Sequence, residues 1–184
     1  MFNYLIKIEY DGTRYVGWQF QKNGISVQGT VEKILRKVIK QKVKIIGAGR
    51  TDKGVHAEGQ YANFKIKKKI KNNFEFLNSM NYFLQKHCIS IISIEKKKLD
   101  FHSRYSAKKR VYKYKIINRV GSLSLFKNRA WHIKRKLNIK LLEKGAKIFK
   151  GTHDFSTFRA SSCVSNSSIK KMGLCENKKF RREH

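Results

Sequence analysis

The order of hydrophobic patterns predicts an α/β (α+β) fold whose first half is a ferredoxin-like, split βαβ unit. Three observations carry this. Period-two alternation marks strands at both ends of the first hundred residues. Two stretches of helical periodicity lie between them. A glycine-rich loop joins two apolar runs in the middle, where that topology needs its hairpin.

In the first strand, residues 3 to 10, Tyr4, Ile6 and Ile8 share one face while Leu5 and Lys7 take the other. Ser26 fits an N-cap for a helix running to about Gln41, with Val27, Val31, Ile34, Leu35 and Val38 on one stripe. Val43 to Ala48 and Gln60 to Ile66 read as the central strands, Asn73 to Lys86 as the second helix, and Ile89 to Ile94 as the closing strand. That helix carries Phe74, Leu77, Phe83 and Leu84. The expected first domain is therefore 1–98, with a loop at 47–60. A second α/β domain, 99–184, is expected to repeat the pattern as a mostly antiparallel sheet. Its elements are a strand from Arg110 to Asn118, a helix from Asn138 to Phe149 and a weak strand near Ile169 to Cys175. On element order alone, this second half is expected to be incomplete at its C-terminus.

Composition narrows the function. The chain has 43 Lys and Arg against 12 Asp and Glu, a net charge of +31, which points to a polyanion and first to nucleic acid. A proline-free, lysine- and isoleucine-rich composition is also what an AT-rich coding sequence gives, so the charge does not count contacts. Cys88, Cys163 and Cys175 are odd in number and widely spaced, which argues against a disulfide framework or a zinc site. No apolar run reaches the length of a membrane span, and MFNYLIKIEYDG is a strand pattern with no long signal-like stretch. A cytoplasmic location without membrane association is expected.

The most informative stretch is GAGRTDKGVHAEGQ, residues 47–60. It fails the dinucleotide fingerprint, because Asp52 stands where the third glycine belongs. It also fails the Walker pattern, because Val55 and His56 follow Gly54. What remains is Asp52 between Arg50 and Lys53. Neighbouring cations favour an ionised carboxylate, and such a carboxylate can attack a sugar or an activated ring. A turn in which Asp52 caps backbone amides is the plainer alternative. Trp18 and Phe20 suit either RNA stacking or core packing. Arg104, Lys108, Lys109 and Arg110 suit either phosphate contacts or a solvated face.

GRTDKGVHAEGQ resembles the GRTDxGVHAxGQ signature of TruA-type tRNA pseudouridine synthases. Three further segments resemble that family in the same order: IEYDGTRYVGWQFQKNGISVQGTVE, FHSRYSAKKRVYKYKI and GTHDFSTFRA. The resemblance implies an isomerase that converts uridine to pseudouridine in the tRNA anticodon stem-loop, at positions 38 to 40. It makes Asp52 the catalytic aspartate and Arg50 the arginine that fills the space of the flipped base and pairs with the aspartate. Tyr112 becomes the tyrosine that stacks on the uracil. It implies no cofactor and no metal, since substrate and product are isomers, and it implies a homodimer with tRNA as partner. Family members continue with a segment like FLYHMVRNIVG, and nothing like it follows Cys175; their SRTxxR stretch is matched only weakly by SNSSIKK. A catalytically impaired RNA-binding remnant is therefore the alternative. A basic ribonucleoprotein component is a third reading, which the intact GRTD loop disfavours.

Overall fold

The computed structural model describes residues 1–159 and 167–173. The chain forms two compact units, Met1–Lys113 and Tyr114–His184. No helix among the described residues is long and apolar enough to cross a membrane.

The first unit runs β1 (Phe2–Tyr10), α1 (Val27–Ile39), β2 (Ile45–Gly47), β3 (Ala57–Ile66), α2 (Asn73–Leu84) and β4 (Ile89–Lys97). The sheet order is β2-β3-β1-β4, and every pairing is antiparallel. This is the split βαβ topology that the pattern predicts. Alternation along β1 sends Tyr4, Ile6, Ile8 and Tyr10 into the core, where they meet Ala62, Phe64 and Ile66 of β3. Helix α1 forms because Ser26 accepts a hydrogen bond from the Gly29 amide at its start, and because Val27, Val31, Ile34 and Leu35 recur on one face and are buried. Each such side chain stabilises the fold by about 1.5–3 kcal/mol through burial. Helix α2 is capped by Asn72, which accepts from the amides of Phe74 and Glu75. Its buried residues are Phe76, Met80 and Leu84, whereas Phe74 points into solvent. The i, i+4, i+8 row was hidden in the sequence by the more conspicuous phenylalanines around it.

The reverse face of the sheet carries buried asparagines. Asn63 receives the backbone amide and hydroxyl of Ser103 on its Oδ1, at 2.9 and 2.8 Å. Its amide donates to Asn3 at 2.9 Å, and Asn3 donates in turn to the carbonyls of Lys98 and Phe101. Because a buried amide costs free energy unless its hydrogen bonds are made, this set fixes residues 98–103 against the sheet.

From residue 110 onwards the structure departs from the pattern. The strand expected over Arg110–Asn118 is reduced to β5 (Ile116–Asn118), which pairs in parallel with β6 (Trp131–Ile133). Alternation is present over 110–115, but a strand also needs a neighbour for its backbone groups, and among the described residues no strand pairs with 110–114. Helix α3 (Ile139–Ile148) is capped by Asn138. Strand β7 (Gly151–Asp154) pairs antiparallel with β8 (Ile169–Met172). The expected end of that last strand, at Cys175, lies outside the described residues. Strands β6 and β7 were not foreseen, since runs of three and four residues are too short to show a readable period.

Candidate active site

The loop between β2 and β3 hangs from the N-terminal segment that follows β1. At its first turn, the Thr51 hydroxyl shares a 2.8 Å hydrogen bond with the Tyr10 hydroxyl. The Trp18 amide donates to the Thr51 carbonyl at 3.0 Å. The Gly54 amide reaches the Tyr15 carbonyl at 3.2 Å, and the Val55 amide closes a turn onto the Asp52 carbonyl at 3.2 Å. His56 Nδ1 accepts from the Gly12 amide and lies 3.2 Å from Asp11 Oδ1. The YDGTRYVGW and GRTDKGVH stretches are thus two halves of one structure.

Two glycines make that approach possible. At Gly12 an added Cβ would overlap the Val55 carbonyl. Gly17 sits at φ +120°, where side chains are strained, and a Cβ there would lie 2.6 Å from the Thr51 oxygen. Trp18 is 2% exposed and beside Tyr10, with ring centroids 6.1 Å apart, so it packs in the core; Phe20 is exposed. Burial pushes the Tyr10 phenol up, against the opposing effect of its Thr51 hydrogen bond. It stays neutral and braces the loop.

On this platform Arg50, Asp52 and Lys53 are all exposed. Among the described residues, no hydrogen bond or ion pair occupies the Asp52 carboxylate. The Arg50–Asp52 pairing that the resemblance implies is not formed. Asp52 does not cap the turn with its side chain either; its backbone carbonyl does that work.

Tyr112 is 69% exposed and lies on a segment tied to the loop at both flanks. Arg110 Nη2 donates to the Ala48 carbonyl at 2.8 Å, and Lys113 Nζ meets Glu58 Oε2 at 2.6 Å. The structure therefore brings the backbone carrying Tyr112 to the loop carrying Arg50 and Asp52, without closing the three side chains on one another. Gln60 adds a further brace, donating to the Gly49 carbonyl at 2.8 Å. Tyr10, Thr51 and His56 are the supports that sequence reasoning missed. Only their place inside the motifs hinted at them. Among the described residues, no group of three or more His, Cys, Asp or Glu lies together in a way that could hold a metal ion.

A family model described as tRNA pseudouridine synthase matches residues 6–106, a range that contains every brace of the loop except Arg110 and Lys113. The chain is similar to the tRNA pseudouridine synthase A of Pelagibacter ubique (strain HTCC1062). The two are 52% identical over 172 residues, covering 94% of this chain and 70% of that protein. It is 45% identical over 168 residues to tRNA pseudouridine synthase A of Ehrlichia ruminantium (strain Gardel), covering 91% and 68%. It is 44% identical over 172 residues to the same enzyme of Thermoanaerobacter sp. (strain X514), covering 92% and 69%. With its split βαβ sheet, its braced GRTD loop and these relatives, the chain belongs to the tRNA pseudouridine synthase family.

Proposed function

We propose that the chain isomerises uridine to pseudouridine at positions 38 to 40 of the tRNA anticodon stem-loop, with Asp52 as nucleophile. The observation that carries this is a carboxylate displayed, without a partner of its own, from a loop braced at both ends. A nucleophile needs a free lone pair and a fixed position, and the two are separately supplied here. In the proposed sequence Asp52 adds to the ribose or to the uracil ring, and the bond from N1 to the sugar breaks. The base rotates and rejoins C1′ through C5, and the bond to Asp52 breaks, returning its electron pair to the carboxylate. The C5 proton then leaves, N1 gains a proton, and no atom is gained or lost overall. That balance is why no cofactor is required.

Arg50 is assigned the space vacated by the flipped base, where a guanidinium plane replaces part of the lost stacking. Tyr112 is assigned the face of the target uracil and the removal of its C5 proton. The functional division into residues 1–98 and 99–184, a homodimeric enzyme and a cytoplasmic setting belong to the same proposal.

Asp52→Asn keeps the shape of the side chain and removes its nucleophilic charge. Tritium release from tRNA labelled at uridine C5 is expected to be abolished, while tRNA binding persists because phosphate contacts dominate affinity. Appreciable turnover by the Asn variant would remove Asp52 from the mechanism. A wild-type chain that binds tRNA and releases no tritium would fit the RNA-binding remnant instead.

A further inference from the structure

Strand β3 has the Asp52 loop at its start and a lysine-rich turn at its end. Its ten residues, at about 3.3 Å each, separate the two by roughly 30 Å. The far turn, KIKKKIK, carries Lys65, Lys67, Lys68, Lys69 and Lys71, all exposed. Beside it lies the turn after α1 with Lys40, Lys42 and Lys44, also exposed. The two turns are joined where Gln41 Oε1 accepts from the Lys67 amide at 3.1 Å. The far turn is held to the core where the Ile70 amide donates to the Tyr4 hydroxyl at 3.0 Å.

Compositional bias spreads lysine evenly; here eight exposed lysines gather on two turns that are hydrogen-bonded to each other. Among the described residues none of these eight ammonium groups has a carboxylate within ion-pair distance. Lys68, Lys69 and Lys71 border a depression of about 270 Å³. Glu75, the one acid lining it, accepts a hydrogen bond from the Asn72 amide at 3.0 Å. Like charges held this close repel, and a polyanion relieves the repulsion while releasing counterions.

Resting on the tRNA reading above, we infer that this lysine pole is a second RNA-binding surface, which grips backbone phosphates of the tRNA outside the stem-loop that holds the target uridine. Lysine is a flexible point charge suited to phosphate and not to reading base edges, so the contact is independent of sequence. At roughly 30 Å from Asp52 it contributes to holding intact tRNA and nothing to the chemical step.

The test compares fluorescence-anisotropy binding of intact tRNA and of an isolated anticodon stem-loop RNA across salt concentrations, using the full chain. In K67Q/K68Q/K69Q/K71Q, affinity for intact tRNA is expected to fall at least roughly tenfold. The slope of log affinity against log salt is expected to shrink by up to about 3, at 0.7–0.9 for each lost phosphate contact. Affinity for the stem-loop should stay at the wild-type level. The control K134Q/K136Q/K140Q/K144Q removes the same charge from the second unit and should lose much less. An equal loss on both RNAs, an equal loss in the control, or no loss in the first variant overturns the proposal. If the fourfold variant fails to fold, K67Q/K68Q and K69Q/K71Q should each give about half the slope change, and no change in either overturns it. Binding is read without turnover, so failure of the isomerase reading would show separately, as absent tritium release in the wild type.

Discussion

Every element of the first unit, from β1 to β4, sends apolar side chains into one shared core, while from Tyr114 onwards no described residue is buried. The second unit's helix α3 leaves Leu141 and Ile148 at 62% and 72% exposure. Its order comes from local hydrogen bonds. The Asn118 amide donates to the carbonyls of Ile133 and Arg135, and its oxygen accepts from the Leu137 amide. Phe149, Phe155 and Phe158 form a small ring cluster with centroids 6.0–6.2 Å apart. Two-stranded sheets and a ten-residue helix are marginal by themselves. The lesson is that matching elements can be written into both halves of a chain while only one half is held by burial, and it is the buried half that carries the Asp52 loop.

The largest effect is expected where that core reaches the loop. Gly12→Ala places a methyl group on the Val55 carbonyl, and since both are backbone the loop must shift. Displacing a reacting group by about 1 Å costs on the order of a hundredfold in rate, so tritium release should fall at least that far. Normal turnover would mean that the loop position does not depend on its N-terminal brace.

Next in size is a paired truncation. Leu35→Ala, at a fully buried position of α1, should cost about 2–5 kcal/mol. Leu142→Ala, on the half-exposed side of α3, should cost less than about 1 kcal/mol. Urea unfolding can follow each unit by its own tryptophan, Trp18 in the first and Trp131 in the second. Equal costs would erase the contrast between the units.

A smaller change of opposite sign is expected at Gly145. It lies inside α3, with open space where a Cβ would go. Gly145→Ala should stabilise that helix by about 0.5–1 kcal/mol, seen as slower amide exchange over residues 139–148, because a helical glycine loses more backbone freedom than alanine. No slowing would mean that propensity does not limit the second unit.

The smallest effect is a pH dependence confined to the first unit. Burial raises the phenol pKa of both Tyr10 and Tyr15 above the ordinary value of 10.0. A raised folded value means that the stabilisation is complete below pH 10.0 and is lost as pH climbs from there through the folded values. The unfolding midpoint read at Trp18 should therefore drop above about pH 10, and less steeply in Tyr15→Phe. A flat profile would contradict the burial of these phenols.

The same contrast decides what the sequence revealed. In the first unit the period was enforced by burial, so β1, α1 and the capping residue Ser26 could be read to within a residue or two. Spacing alone leaves Asp52 open between a turn cap and a nucleophile; it is singled out because the segments around it resemble a family. The Tyr10–Thr51 bond and the Gly12–Val55 approach were not legible. They join residues some forty positions apart, and no local pattern records a tertiary contact. Over 110–115, where the two units meet in sequence, alternation suggested a strand that the fold does not pair, while in the second unit β6 and β7 are fixed by hydrogen bonds that leave no periodic trace.

Glu32 of α1 accepts hydrogen bonds from the Ile45 amide at 2.9 Å and from the Gln28 amide at 3.0 Å. Strand β2 is the outer strand of the sheet, and Ile45 begins it. An unsatisfied outer amide is the usual starting point for strand-to-strand association between molecules. Here a carboxylate from the adjoining helix already holds that donor and sets a negative charge beside the open margin. The side chain that fastens helix to sheet thereby also discourages edge-to-edge strand pairing at β2.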